Sequence, residues 1–276
     1  MGADNGRRGE PAPPPEPLPV AVLDSHTHLD IVGGEPAEHI AAAAAVGVDR
    51  LVQVGTDVPS SRWAADLAAS QGAVLAAVAV HPNDAPRLSD LDAALADIEE
   101  LAARPRVRAI GETGLDHFRT GPDGRAAQEA SFRAHIAIAK RLDKTLVIHD
   151  RDAHADILRV LDEEGPPDRV VMHCFSGDAE FAAECAKRGF LLSFAGTVTF
   201  HNARSLREAA AVAPLDGLLV ETDAPFLTPM PYRGRPNRSY LIPLTVRALA
   251  EVSGVDLETL CGAISANGER VFGPWD

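Results

Sequence analysis

Thr145-Leu-Val-Ile-His-Asp-Arg151 and Arg169-Val-Val-Met-His-Cys-Phe-Ser176 share one construction: a short, mostly apolar run that stops on a histidine. Such a run, barely interrupted by polar residues and too short for a helix, reads as a strand buried on both faces, the form taken in parallel sheets. Moving outward, the pattern recurs at residues 107–110, 74–80, 51–54 and 20–23 on one side, and at 190–194 and 218–220 on the other. Helical periodicity fills the gaps at 36–46, 60–70, 89–103, 128–142, 153–164, 179–188, 203–212 and 240–252. Ser89 with Asp92 reads as a capping box, and Gly47, Gly72, Gly165 and Gly189 sit where helices should stop. Eight strands alternating with helices predict a TIM (β/α)8 barrel, a single α/β domain over residues 20–276. A last helix, 257–267, has no following strand and should pack against the barrel. In this fold the active site is built at the C-terminal ends of the strands.

The bulk properties narrow the partners. The 276 residues carry a net charge of −14, which argues against a broad basic face for duplex nucleic acid or anionic membrane. No apolar run approaches the roughly 20 residues of a membrane span. Three cysteines without C-x-x-C spacing give no disulfide framework, so a reduced, cytoplasmic protein is expected. Cys174 reads as a buried inert thiol. Residues 1–19 hold six prolines and no apolar core, so a disordered tail is expected rather than a signal peptide. No obligate protein partner is indicated, and a monomer is the expected state.

The strand ends carry the chemistry. In Asp24-Ser-His-Thr-His28 the two imidazoles lie on one side of an extended chain, which suits a divalent metal. Glu112, in an expected Gly-Glu-Thr-Gly turn after strand four, brings two oxygens that can bridge two ions. His149 and His173 end strands five and six. Asp223, in Glu221-Thr-Asp223-Ala-Pro225, comes beside strand one when the barrel closes, where it can complete the His26/His28 set and accept a proton from water. Two divalent ions less the charges of Glu112 and Asp223 would leave a site of about +2, attractive to an anionic substrate in an acidic protein. His26, His28, Glu112, His149, His173 and Asp223 are therefore the candidate ligands, with Asp223 and Glu112 also catalytic.

His81 and Arg151, at the ends of strands three and five, are candidate substrate contacts; an arginine there can fork onto phosphate. Asp24 can hold a histidine tautomer or make a strand-end hydrogen bond, and Glu221 reads as a supporting or structural acid. Asp116, Arg119 and Ser176 lie just past strand ends. Residues 232–235 read as a substrate lip or a solvated loop, and His39, His135 and His154 as structural.

With these residues in place, the chain resembles the TatD family of metal-dependent hydrolases, a branch of the amidohydrolase-like barrels. The resemblance rests on Asp24-Ser-His-Thr-His28, Ile110-Gly-Glu-Thr-Gly-Leu-Asp116, His149-Asp-Arg151, His173-Cys-Phe-Ser-Gly177 and Val220-Glu-Thr-Asp-Ala-Pro-Phe226, and spans about residues 20–273. It implies one metal on His26, His28 and Asp223, a second on His149 and His173, and Glu112 as the bridge. It further implies a deoxyribonuclease that hydrolyses phosphodiester bonds through a two-metal-activated water, with 3′–5′ exonuclease action on single-stranded DNA in some members. The expected partner is then a nucleic acid end. Where the family often has Thr-Phe-Lys-Asn, this chain has Thr199-Phe-His201-Asn202. The alternative is an amidohydrolase-type enzyme acting on an amide, lactone or phosphotriester, because the same cage activates water against carbon as well as phosphorus. Imidazole and carboxylate ligands accept Zn, Mn, Ni or Co, and suit Mg less well.

Overall fold

The computed structural model describes residues 9–275. Eight strands, β1 (Val22–Thr27), β2 (Val48–Val54), β3 (Val74–Val78), β4 (Val107–Asp116), β5 (Thr145–Arg151), β6 (Val170–Met172), β7 (Leu191–Phe194) and β8 (Leu218–Val220), lie parallel and in sequence order. The helices are α1 (Leu29–Val32), α2 (Pro36–Ala44), α3 (Val58–Ser70), α4 (Leu91–Ala102), α5 (Pro122–Arg141), α6 (His154–Glu164), α7 (Ala179–Lys187), α8 (Arg204–Val212), α9 (Ile242–Ser253) and α10 (Leu257–Phe272). The TIM barrel expected from the strand–helix alternation is the observed fold. Leu23, Leu51, Leu75, Ile110, Leu146 and Ile148 are fully buried along the strands, each worth roughly 2 kcal/mol of transfer free energy.

Closure of the barrel is uneven. Seven neighbouring pairs from β1 to β8 form ladders, whereas β8 meets β1 through a single parallel bridge, Thr27 with Ala224, just beyond the end of β8. Two backbone bonds flank it, Asp223 N–H to the His26 carbonyl and His28 N–H to the Ala224 carbonyl, both 2.9 Å. Side chains complete the seam. Buried Asp24 accepts the Thr222 N–H at 2.8 Å and the Thr222 hydroxyl at 2.5 Å, and Ser25 Oγ lies 2.8 Å from Ser193 Oγ. Asp24 thus makes the strand-end hydrogen bonds and does not hold an imidazole. Burial pushes its carboxyl up to about 7, against the Thr222 bonds that lower it. At the other end of the seam, α10 runs on to Phe272, and its Asn267 amide donates to the Leu215 and Leu218 carbonyls.

Three expectations are corrected. The Gly-Glu-Thr-Gly stretch is strand rather than turn: β4 continues through it to Asp116, with a register shift between Ile110 and Thr113. Glycine makes this possible, because a Cβ at Gly111 would lie 2.5 Å from Val147 Cβ, and one at Gly114 would lie 2.1 Å from the His149 carbonyl oxygen. The α4 cap is Asp90, which accepts the Ala93 N–H at 2.9 Å, in place of Ser89; the true capping box is Asp57 with Ser60 on α3. Of the expected disordered tail, residues 1–8 lie outside the described residues, and residues 9–19 lie against the barrel. Ala12 and Leu18 are buried, and the proline-rich backbone, poor in donors, is held by its carbonyls: Tyr240 donates to Ala12, and Arg247 to Glu16 and Pro17.

Candidate metal centre

The six candidate ligands come together at the C-terminal mouth. The imidazoles of His26 and His28 bring their Nε2 atoms to 3.2 Å. Asp223, in the left-handed backbone region at φ 51°, crosses the seam to place Oδ1 3.4 Å from His28 Nε2 and 4.0 Å from His26 Nε2. Glu112 occupies the middle: its Oε2 lies 3.1 Å from His173 Nε2, 3.3 Å from His149 Nδ1 and 4.0 Å from His26 Nε2.

The groups behind the rings set which nitrogen faces inward. His28 Nδ1 is 3.0 Å from the Val54 carbonyl, which requires a proton there and leaves the Nε2 lone pair for the mouth. His173 Nδ1 faces Glu221 Oε1 at 2.9 Å, and His149 Nε2 faces Asp116 Oδ2 at 3.1 Å. Those carboxylates hold the outer protons and turn the inner lone pairs of both rings toward Glu112. Neither His173 Nδ1 nor His26 Nδ1 makes a hydrogen bond among the described residues, but His26 differs in that its buried Nδ1 has no carboxylate paired behind it, its acid contacts all falling on Nε2.

These distances suit cations. Two donor atoms bound tetrahedrally to one ion at about 2.0–2.1 Å lie about 3.4 Å apart. The pairs His26/His28, His28/Asp223, His149/Glu112 and His173/Glu112 are all within a few tenths of an ångström of that edge. The donor set therefore has the spacing that a divalent metal on each side of Glu112 would require.

The electrostatics agree. Burial would raise Glu112, but the charges of His81 and His173 and the bond from His149 hold it well below the usual carboxylate range. Burial lowers His26 far below the ordinary imidazole range, and His173 beside it adds to the effect. For His173 burial acts the same way, yet Glu221 and Glu112 outweigh it and hold the ring well above that range. His149, also opposed by burial, is carried up to about 9 by its bonds to Asp116 and Glu112.

Of the two candidate substrate contacts, His81 reaches deeper than a rim position implies. Its Nδ1 accepts the Asn83 N–H at 3.0 Å, so Nε2 carries the proton, 3.3 Å from Glu112 Oε1. It faces the site as a donor, unlike the other four histidines. Arg151 stands at the mouth with its guanidinium over the Phe118 ring, 4.1 Å from the centroid. The 232–235 loop is pinned rather than solvated: Arg233 lies over Phe200, and Arg235 reaches the Pro11 carbonyl.

Three supporting residues carried no strong sequence signal. Gln53 on β2 accepts the Leu29 N–H at 2.8 Å and donates to Asp30, fixing the chain just beyond His28. Asn83 donates to Asp116 Oδ2 at 2.9 Å, steadying the carboxylate behind His149. His135 accepts the Val80 N–H at 3.1 Å and so holds the approach to His81. A polar residue inside an apolar strand is the only hint that was available, and only Gln53 shows it.

Comparison with known proteins gives one picture. The sequence profile of the family described as TatD related DNase matches residues 23–273. An uncharacterized metal-dependent hydrolase TatD from Mycobacterium tuberculosis is 47% identical over 260 residues, spanning 91% of this chain and 98% of that protein. The uncharacterized metal-dependent hydrolase YcfH of Escherichia coli is 39% identical over 257 residues, spanning 91% and 95%. The crystal structure of YjjV, a TatD homologue from Escherichia coli, superposes with a TM-score of 0.85 at 26% identity, covering 92% of this chain and 98% of that one.

Proposed function

The chain belongs to the TatD family of metal-dependent hydrolases, and from that premise we propose that it is a deoxyribonuclease that cleaves phosphodiester bonds near nucleic acid ends. The observation that carries the hydrolytic reading is the convergence of His26, His28, His149, His173, Glu112 and Asp223 at donor separations matching a coordination polyhedron. His26, His28 and Asp223 would hold one divalent ion, His149 and His173 a second, and Glu112 would bridge them. When bound, such ions supply a Lewis acid that polarises the phosphate and lowers the pKa of water.

The remaining work falls to the protein. Asp223, partly open to the mouth, accepts the proton that attacking water loses. His81, with its proton on Nε2, donates to a phosphate oxygen entering beside Glu112. Arg151, whose guanidinium makes no hydrogen bond or ion pair among the described residues, offers its fork to a phosphate. These two donors in an otherwise acidic protein support a phosphodiester over a neutral amide or lactone.

End-labelled single-stranded oligonucleotides, digested with added Mn, Zn or Mg and compared with lactone and phosphotriester substrates, test the reading. Metal-dependent shortening of the oligonucleotide that disappears in Glu112→Ala, with the fold intact by circular dichroism, is the expected result. Turnover confined to the lactone or phosphotriester would replace it with the alternative class.

A further inference from the structure

We propose that Phe118 and Arg151 form a nucleotide subsite directly outside the imidazole–carboxylate cluster, with Arg151 gripping a backbone phosphate and Phe118 stacking the adjoining base. The proposal rests on the nuclease reading above and gives it a substrate-binding element.

The placement follows from strand geometry. In the β4–β5 ladder Gly114 pairs with His149 and Asp116 with Arg151, and the His117 N–H bonds the Arg151 carbonyl at 2.9 Å, carrying the ladder one step further. Side chains two apart on a strand share a face. His149 points into the cluster, so Arg151 points to the same mouth, roughly 6.6 Å further along. The other strand ends at Asp116, which holds His149, and the turn that follows it brings the Phe118 ring under the Arg151 guanidinium. The Phe118/Arg151 pair is therefore a second layer stacked on the Asp116/His149 pair, about one nucleotide repeat outward.

The chemistry of the pair suits a nucleotide. Stacking on the phenyl ring fixes the plane of the guanidinium while consuming none of its five N–H donors. Arg151 is thus oriented and unspent. Phe118 is 63% exposed although it is large and apolar, so the face turned away from Arg151 is open to a planar ligand. An aromatic face beside a free fork is the combination that takes a base and its phosphate, as at single-strand binding sites. Phe226, 51% exposed after β8, lies across the barrel from this pair and has no cation over it among the described residues, which makes it a useful control.

The test is a cycle of base removal against ring removal on the metal-loaded full chain. Single-stranded oligonucleotides are prepared with an abasic site at each of the three terminal positions in turn, and kcat and KM are measured for each. Wild type should lose roughly tenfold in kcat/KM at one position, mainly through KM. Phe118→Leu should erase that preference, Phe118→Trp should keep it, and Phe226→Ala should leave it in place. Arg151→Lys should raise KM for every oligonucleotide, because the planar fork is lost. If wild type cleaves DNA but Phe118→Leu discriminates against the abasic site as wild type does, the subsite is wrong and the nuclease reading stands. If wild type cleaves no oligonucleotide, both fall.

Discussion

His26 and His173 face each other with ring centroids 3.5 Å apart and planes 21° from parallel, yet their affinities for a proton are driven in opposite directions. His173 belongs to the half of the site formed by β4, β5 and β6, where each imidazole has a carboxylate behind it: Glu221 for His173 and Asp116 for His149. His26 belongs to the half formed at the β8–β1 seam, where His28 is backed by a backbone carbonyl and the buried His26 Nδ1 has neither a hydrogen-bond partner nor a paired carboxylate among the described residues. Burial acts alike on both rings, so the groups behind them decide. A carboxylate-backed imidazole is a more basic donor that must shed a proton before it binds metal, whereas a neutral one is ready. The two halves are therefore expected to load differently.

The most damaging change is one that destroys the comparison by removing what the halves share. Glu112→Gln is expected to lower metal-dependent hydrolysis by about 10³-fold or more, beyond the 10–100-fold typical of an outer partner. Turnover together with metal content by elemental analysis checks it.

Glu221→Gln sharpens the contrast. It should weaken binding in the carboxylate-backed half by about 10–100-fold while sparing the seam half, and Asp116→Asn should act the same way through His149. In a calorimetric titration one of two binding steps should move. Equal weakening of both steps would show that the halves do not act separately.

Acidity separates them further. With His149 at about 9 and His173 held above the ordinary range, metal binding in that half must displace protons below pH 9. Its affinity should rise about tenfold per pH unit for each proton released; in the seam half His28, which Asp223 raises against burial, adds such a slope, whereas His26, lowered by burial, does not. Proton release, read from calorimetry in buffers of different ionisation enthalpy, should fall in Glu221→Gln.

A separate effect, on stability and not on metal binding, concerns a buried histidine with no carboxylate at all. Burial carries His135 down to about 4, against the Ser131 bond that raises it. Its folded value lies below its unfolded one, so its neutral form stabilises the fold above pH 6.5, and the contribution is lost as pH falls toward 4. The loss should reach about 3 kcal/mol near pH 4. Urea unfolding at pH 7 and pH 4.5 should show a shallower decline in His135→Gln than in wild type.

Much of this molecule was legible in advance. All eight strands and the eight helices between them were visible as apolar runs and helical periodicity, and the six candidate ligands as the residues that end five of those runs. Boundaries shifted where glycine or proline overrode the local pattern: β4 runs through Gly111 and Gly114, and α5 begins at Pro122, six residues before the apolar periodicity starts. The supporting layer was harder to see. Asp116 and Glu221 stood near strand ends without a stated partner, and Asn83 and His135 sit in a loop and a helix whose local sequence says nothing about β4 or β3. Phe118 looked like any loop aromatic until Arg151 was found above it.

The sequence by itself determined the barrel and the residue types at its mouth, because strand and helix periodicity are local and a βα unit repeats within a few tens of residues. Tertiary structure decided the rest. It chose the nitrogen that each imidazole turns inward, set His26 and His173 in contrasting surroundings, and closed the β8–β1 seam through Asp24 and Thr222, 198 positions apart in the chain. Those outcomes depend on partners brought together only when the barrel closes, and no local pattern of residues encodes them.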